Sequence, residues 1–182
     1  GKYNQFSGSN SIDSCLDCNK GKYSGVSSLN RSDGCIDCSV GKYNDQLGSI
    51  NIFACKNCPV GKFRQTVGGI GLADCLPCSA GRFSLEGYVN CIVCSSGKYA
   101  ALSESNECIE CEAGKYTNQY ESITCLDCPK NSLNKIDFTG CECQKDFYQS
   151  DNSLEKPECS ICPTSAVCKR DSNIKTMVIK KG

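Results

Sequence analysis

The cysteines are the residues whose type and spacing could do chemistry, and there are 19 of them in 182 residues. Thiols can close disulfides, four thiolates can hold a tetrahedral zinc ion, and a thiol with a depressed pKa can act as a nucleophile or redox centre. Here they recur with C-x-x-C spacing at Cys15/Cys18, Cys35/Cys38, Cys55/Cys58, Cys75/Cys78, Cys91/Cys94, Cys108/Cys111 and Cys125/Cys128. The stretch from Cys15 to Cys38 matches the spacing of a four-thiolate zinc site. Against metal, the pairs run on as one even series with no break into four-cysteine groups, and a zinc reading leaves Cys159, Cys162 and Cys168 unassigned. Catalytic redox chemistry needs one exposed, low-pKa thiol beside a helix terminus, whereas this motif recurs on strand-like sequence. Disulfides remain. Such cysteine density is tolerated in oxidising compartments, so the chain is expected to be extracellular or at a cell surface.

Other chemistry is poorly supplied. There is no His, no Trp and a net charge of zero, which argues against imidazole acid–base catalysis, a cationic nucleic-acid surface and an enzyme of any kind. No phosphate-binding glycine loop or acidic calcium loop is present, and Gly68-Gly69-Ile70-Gly71 reads as a flexible turn tip. Nothing approaches the roughly 20 apolar residues of a membrane span. No cofactor or metal is expected. Asn30-Arg31-Ser32 is an N-glycosylation sequon in a loop, so Asn30 is the candidate site for a glycan.

The elements that position the cysteines follow from a repeated marker of Gly, a base and an aromatic. It stands at Gly1-Lys2-Tyr3, Gly21-Lys22-Tyr23, Gly41-Lys42-Tyr43, Gly61-Lys62-Phe63, Gly81-Arg82-Phe83, Gly97-Lys98-Tyr99 and Gly114-Lys115-Tyr116. Steps of 20, 20, 20, 20, 16 and 17 residues separate the glycines, and the second Cys of a pair lies three residues before each Gly after the first. A fixed frame with variable segments means an array of small units joined by surface loops. The Gly suits a turn into a short strand. Inside the pairs the first residue is usually aliphatic (Leu16, Ile36, Leu76, Ile92, Ile109, Leu126), which predicts a strand with that residue facing inward. The second is often acidic (Asp17, Asp37, Glu110, Asp127), and the marker bases could pair with these acids or simply form a solvated face. Val26, Leu47, Val67 and Leu85 in the long loops could pack on adjacent chains or close each hairpin on the next. The fold class expected is small and disulfide-rich: an elongated tandem array of short β-hairpins with little or no helix, whose consecutive repeats touch only their neighbours.

If the second Cys of each pair bridges to the first of the next, the bonds are Cys18–Cys35, Cys38–Cys55, Cys58–Cys75, Cys78–Cys91, Cys94–Cys108, Cys111–Cys125 and Cys128–Cys141, followed by Cys143–Cys159 and Cys162–Cys168. Cys15 is left, and the frame predicts its partner three residues before Gly1, which makes the odd count a matter of where the chain is cut. Spacing leaves a second connectivity open, in which alternate pairs interlock as Cys15–Cys35 with Cys18–Cys38.

After Cys128 the marker fails, with Pro129-Lys130-Asn131-Ser132 where another copy was due. Cys141-Glu142-Cys143, followed by Phe147-Tyr148 and irregular cysteines, looks like an EGF-like or laminin-type module. The expected divisions are therefore 1–128 for the array, 129–168 for an EGF-like module, and 169–182 for a linker strand or the start of another domain. The C-x-x-C-x2-Gly-Lys-Tyr/Phe pattern from Gly1 to Cys128 resembles the ephrin-receptor-like cysteine-rich repeat, in the style of growth-factor-receptor modules; the base after Gly departs from the more usual Gly-Thr-Tyr. Long proteins of this type in protists resemble surface and ciliary components, including mastigonemes, the hair-like filaments of flagella. The resemblance implies a structural rod or filament segment at the cell or flagellar surface, assembling with its own copies or with other extracellular glycoproteins. The alternative it implies is a ligand-binding ectodomain arm of a receptor.

Overall fold

A computed structural model describes residues 1–4, 15–24, 34–153 and 156–180. Among them the secondary structure is ten two-stranded antiparallel sheets, with two single 3-10 turns at Ile52–Ala54 and Leu72–Asp74. The strands are β1 (Lys2–Asn4) with β2 (Cys15–Asp17), β3 (Lys22–Tyr23) with β4 (Ile36–Asp37), β5 (Lys42–Tyr43) with β6 (Lys56–Asn57), β7 (Lys62–Phe63) with β8 (Leu76–Pro77), and β9 (Arg82–Phe83) with β10 (Ile92–Val93). They continue as β11 (Lys98–Tyr99) with β12 (Ile109–Glu110), β13 (Lys115–Tyr116) with β14 (Leu126–Asp127), β15 (Ser132–Asn134) with β16 (Cys141–Cys143), β17 (Phe147–Gln149) with β18 (Cys159–Ile161), and β19 (Ala166–Val167) with β20 (Val178–Ile179). In the first seven hairpins the first strand carries the marker residues and the second lies in the cysteine segment.

The hairpins that begin at β3, β5, β7, β11 and β13 start from the same turn. Lys22 N–H bonds the Asn19 carbonyl at 3.2 Å, and Lys42, Lys62, Lys98 and Lys115 bond Ser39, Pro59, Ser95 and Glu112 at 2.9 to 3.2 Å. The third residue of these four-residue turns is the marker glycine, with φ between 75° and 81°. A turn with positive φ at its third position favours Gly, and the next best residues there are Asn and Asp. The Gly carbonyl then accepts the N–H of the second Cys of its hairpin, as in Cys38 N–H to Gly21 O at 2.8 Å.

The frame does not stop at Cys128. Ser132 bonds Pro129 and Phe147 bonds Gln144 in the same turn, with Asn131 (φ 64°) and Asp146 (φ 71°) in the glycine position. Gln144 N–H bonds Asn131 O at 3.0 Å and Cys162 N–H bonds Asp146 O at 3.0 Å, as the second cysteines bond the glycines upstream. The change at 129 is thus a change of residues on a continuing hairpin pattern.

Contacts group the chain into two compact units. One is Gly1–Ser79 with Phe83–Ile92 and Ser103–Glu107; the other is Ala80–Arg82 with Val93–Leu102 and Cys108–Gly182. Neither holds a core of aliphatic side chains. The buried apolar residues are cysteines, together with Ala100, Tyr116, Pro157 and Ala166, and beside them lie buried Ser24, Asn44, Ser49, Ser84, Thr117, Ser132 and Ser172.

The aliphatic residues inside the C-x-x-C pairs therefore do not face inward as expected. Leu16, Ile36, Leu76, Ile92, Ile109 and Leu126 are 42% to 54% exposed. They lie opposite the marker aromatics in register, Tyr23 against Ile36 and Tyr116 against Leu126, and so share the aromatic's face. Sulfur and short polar groups fill the interior, and no second layer exists for a long aliphatic chain to enter. On the other face, Lys2–Asp17 (3.2 Å), Lys22–Asp37 (2.8 Å) and Lys98–Glu110 (3.0 Å) form cross-strand ion pairs. Exposed as they are, each contributes about 0–1 kcal/mol.

Asn44, fully buried, shows how polar groups take the place of a core. Its Nδ2 donates to Lys22 O at 2.8 Å and Ser49 Oγ at 2.7 Å, and its Oδ1 accepts from Gln46 N–H at 3.0 Å. Asn44→Ala strands these partners and should cost about 1–3 kcal/mol. Asn44→Ser should recover part of that, because Ser84 Oγ already bonds the matching Lys62 carbonyl at 2.9 Å one repeat pair later. Urea unfolding with disulfides intact measures both variants.

Candidate functional site

The cysteines come together in nine disulfides: Cys18–Cys35, Cys38–Cys55, Cys58–Cys75, Cys78–Cys91, Cys94–Cys108, Cys111–Cys125, Cys128–Cys141, Cys143–Cys159 and Cys162–Cys168, with Cα–Cα separations of 5.6 to 5.8 Å. These separations suit unstrained bridges. Cys15 is buried and is bonded to none of the other 18 cysteines. Its interlocking bond to Cys35 is not formed, since Cys35 is bonded to Cys18. Asn30, the candidate glycan site, and Val26 lie outside the described residues. Leu47, Val67 and Leu85 are 46% to 62% exposed.

What the hairpins grip is not only their neighbours. Five marker N–H groups bond a backbone carbonyl of the next repeat: Gly21 to Asn44 O, Gly41 to Arg64 O and Gly61 to Ser84 O in the first unit, Gly81 to Ala100 O and Gly97 to Thr117 O in the second, all at 2.7 to 2.9 Å. A second set of bonds reaches two repeats ahead. A loop N–H donates to the carbonyl of a hairpin's second Cys: Gly48 to Cys18, Gly68 to Cys38, Gly87 to Cys58 and Glu104 to Cys78 in the first unit, Glu121 to Cys94 and Asp171 to Cys143 in the second, at 2.8 to 3.0 Å. All six donors have φ between 56° and 75°. The expectation that repeats touch only their neighbours fails here, because the loop is long enough to pass over the intervening hairpin segment. Gly68 is accordingly a fixed contact and not a free turn tip.

The same contact explains the marker glycine a second time. A Cβ on Gly41 would lie 2.1 Å from Gly87 O, and one on Gly61 would lie 2.0 Å from Glu104 O. In the second unit a Cβ on Gly81 would lie 2.1 Å from Glu121 O. The loop carbonyl is seated where a side chain would otherwise stand.

Charge at these loop contacts follows a rule. Where the loop residue is glycine, the facing residue before the second Cys is Asp17, Asp37 or Asn57, and a Cβ on Gly48, Gly68 or Gly87 would lie 2.7 to 3.1 Å from its Oδ1. Where the loop residue is Glu104 or Glu121, the residue before Cys78 or Cys94 is Pro77 or Val93. The marker base then turns to the loop: Lys62 pairs with Glu104 at 2.8 Å, and Arg82 with Glu121 at 2.6 Å. At none of these five contacts does an acid face an acid. The sixth contact departs from this: Asp171 stands against Glu142, an acid on each side, and Arg170 pairs with that Glu142. Val93→Asp should therefore be harmful with Glu121 present and tolerated in Glu121→Gly, a coupling of about 0.5–1 kcal/mol in a double-mutant cycle. Additive effects in thermal or urea unfolding would sink the rule. The signal that could have found these residues in the sequence is their constant offset, six or seven residues past the marker glycine.

No convergent acid–base or nucleophilic group accompanies this lattice among the described residues. Three carboxyls are held below their ordinary pKa: Asp137 by the Thr139 N–H and hydroxyl, Asp45 by Lys56 and Gln46, and Asp151 by the Glu158 N–H. Lowered values mean that these contacts stabilise above the ordinary carboxylate range and are lost as the pH falls through the folded value. An open groove in the second unit, lined by Ile136, Phe138, Glu142 and Arg170, brings no set of reactive groups together.

The family model described as tyrosine-protein kinase ephrin type A/B receptor-like matches residues 97–140, from the marker before β11 into the turn ahead of β16. This match, a receptor-type cysteine-rich repeat, falls on the same hairpin and disulfide pattern that runs through the described residues. The chain is a cysteine-rich repeat array. No curated protein matches the array in sequence. No helix among the described residues of the array is long and apolar enough to cross a membrane.

Proposed function

We propose that this array is a non-catalytic extracellular structural segment, a rod or filament element of a cell surface or flagellar appendage. The observation that carries the reading is the double set of contacts, to the next repeat and to the one beyond, which commits the backbone donors, acceptors and charges of successive repeats to holding the array itself. Its partners are copies of the same chain or other extracellular glycoproteins, with a sugar at Asn30. Immunogold labelling of source cells tests this, with electron microscopy of the native material. Label along filaments or a surface coat is expected, and a diffuse cytoplasmic label overturns it.

A second reading has its own support. The match at residues 97–140 is to a receptor-type repeat, which favours a ligand-binding ectodomain arm. Native material isolated as a discrete complex with a soluble ligand, and absent from filaments, selects that reading.

A further inference from the structure

We infer that the array is a load-bearing tether with a covalent length stop. This rests on the structural reading above and adds what such a segment does under tension. Each of the first seven bonds joins the second Cys of one pair to the first Cys of the next segment, so the shortest covalent path is a bridge, a short span, and another bridge. The last two bonds extend the same path from Cys143 to Cys168.

The spans on this path are short and uniform. Cys35–Cys38, Cys55–Cys58, Cys75–Cys78, Cys91–Cys94, Cys108–Cys111, Cys125–Cys128 and Cys159–Cys162 each enclose two residues, and Cys141–Cys143 encloses one. The loops off the path vary, with bridge separations of 17, 17, 17, 13, 14, 14, 13, 16 and 6 residues. Length is held constant where tension would run and left free where it would not.

The stop can be sized. Bridges of 5.6 to 5.8 Å between Cα atoms, with the spans between them fully extended, limit the distance from Cys18 to Cys168 to about 130 Å. The same stretch without bridges reaches about 520 Å. Before the stop, tension must break the loop bonds to the cysteine carbonyls and the ion pairs beside them. Those contacts can re-form on release because the bridges hold their partners close. The array thus yields up to the stop and then becomes inextensible, with the loops and any sugar at Asn30 outside the load path.

Single-molecule force spectroscopy on the full chain, held at its two ends, reads this directly. The oxidised chain should stop at about 240 Å once its terminal segments are included. A dithiol added under constant force then attacks one bridge at a time: each bridge takes two electrons and two protons, giving two thiols, and the dithiol leaves as its own disulfide. Each reduction should lengthen the chain by about 54 Å for a separation of 17, about 40 Å for 13, and about 15 Å for Cys162–Cys168. The double variant Cys58→Ser, Cys75→Ser should move the oxidised stop outward by the same 54 Å or so. Oxidised chains that extend well past the stop, or steps of other sizes, overturn the tether. A chain that halts at the stop but is isolated from its source as a soluble receptor complex keeps the tether and loses the rod.

Discussion

Gly61→Ala should be among the most damaging single methyl additions this array can receive. Its Cβ would stand 2.0 Å from Glu104 O and 2.4 Å from that residue's carbonyl carbon, so the loop must move. Moving it breaks the Glu104 N–H bond to Cys78 O and loosens the Lys62–Glu104 pair. The methyl group also meets a φ of 76°, a conformation that costs a side chain about 1 kcal/mol or more. Together these predict a loss of about 3–5 kcal/mol. Gly114→Ala supplies the control, since its φ is 81° but nothing lies within 4 Å of the added Cβ. It should lose only the conformational part, about 1–2 kcal/mol. Hydrogen exchange of the amides from Cys75 to Glu107 measures the first locally, and equal protection in the two variants would remove the seated carbonyl from the account.

Deleting the Cys58–Cys75 bridge by paired substitution to Ser should cost about 3 kcal/mol in the chain-entropy treatment of a loop near this length. The bridge closes a separation of 17 residues, and both sulfurs are nearly or fully buried, in a unit whose interior is largely cysteine. Removing Cys162–Cys168, with a separation of 6, should cost about 2 kcal/mol by the same reasoning. Denaturant unfolding of the otherwise oxidised chain reads the difference. A larger cost for the short bridge would mean that local packing, and not the closed loop, sets the contribution.

The repeat was open to view in the sequence because Gly-Lys-Tyr and C-x-x-C are letters as well as shapes. The turn demanded glycine, the bridges demanded cysteine, and the small disulfide-rich hairpin fold followed. What lay beyond the letters was the direction of Ile36 and Ile109, since alternation on a two-residue strand cannot say which face is filled when the filling is sulfur. The loop contacts were hidden for a different reason. Gly48, Glu104 and Asp171 share a backbone conformation and no side-chain chemistry, so their common role shows only through φ and a carbonyl two repeats away. Asn131 and Asp146 are the same case, holding the marker's turn without its glycine.

The reach of each loop to the hairpin two repeats back also constrains how such a chain can grow. Copying one repeat into the series reassigns the partners on either side of the insertion. Within the stretch where Asp17, Asp37 and Asn57 face Gly48, Gly68 and Gly87, a copied neighbour meets partners of its own charge class, and the new contacts are as good as the old. At the passage to Pro77 with Glu104 and Val93 with Glu121, an inserted repeat of the first class sets an aspartate against a glutamate. Lengthening by duplication is thus easy inside a block and penalised at its border, so the charges record which repeats can be descended from which.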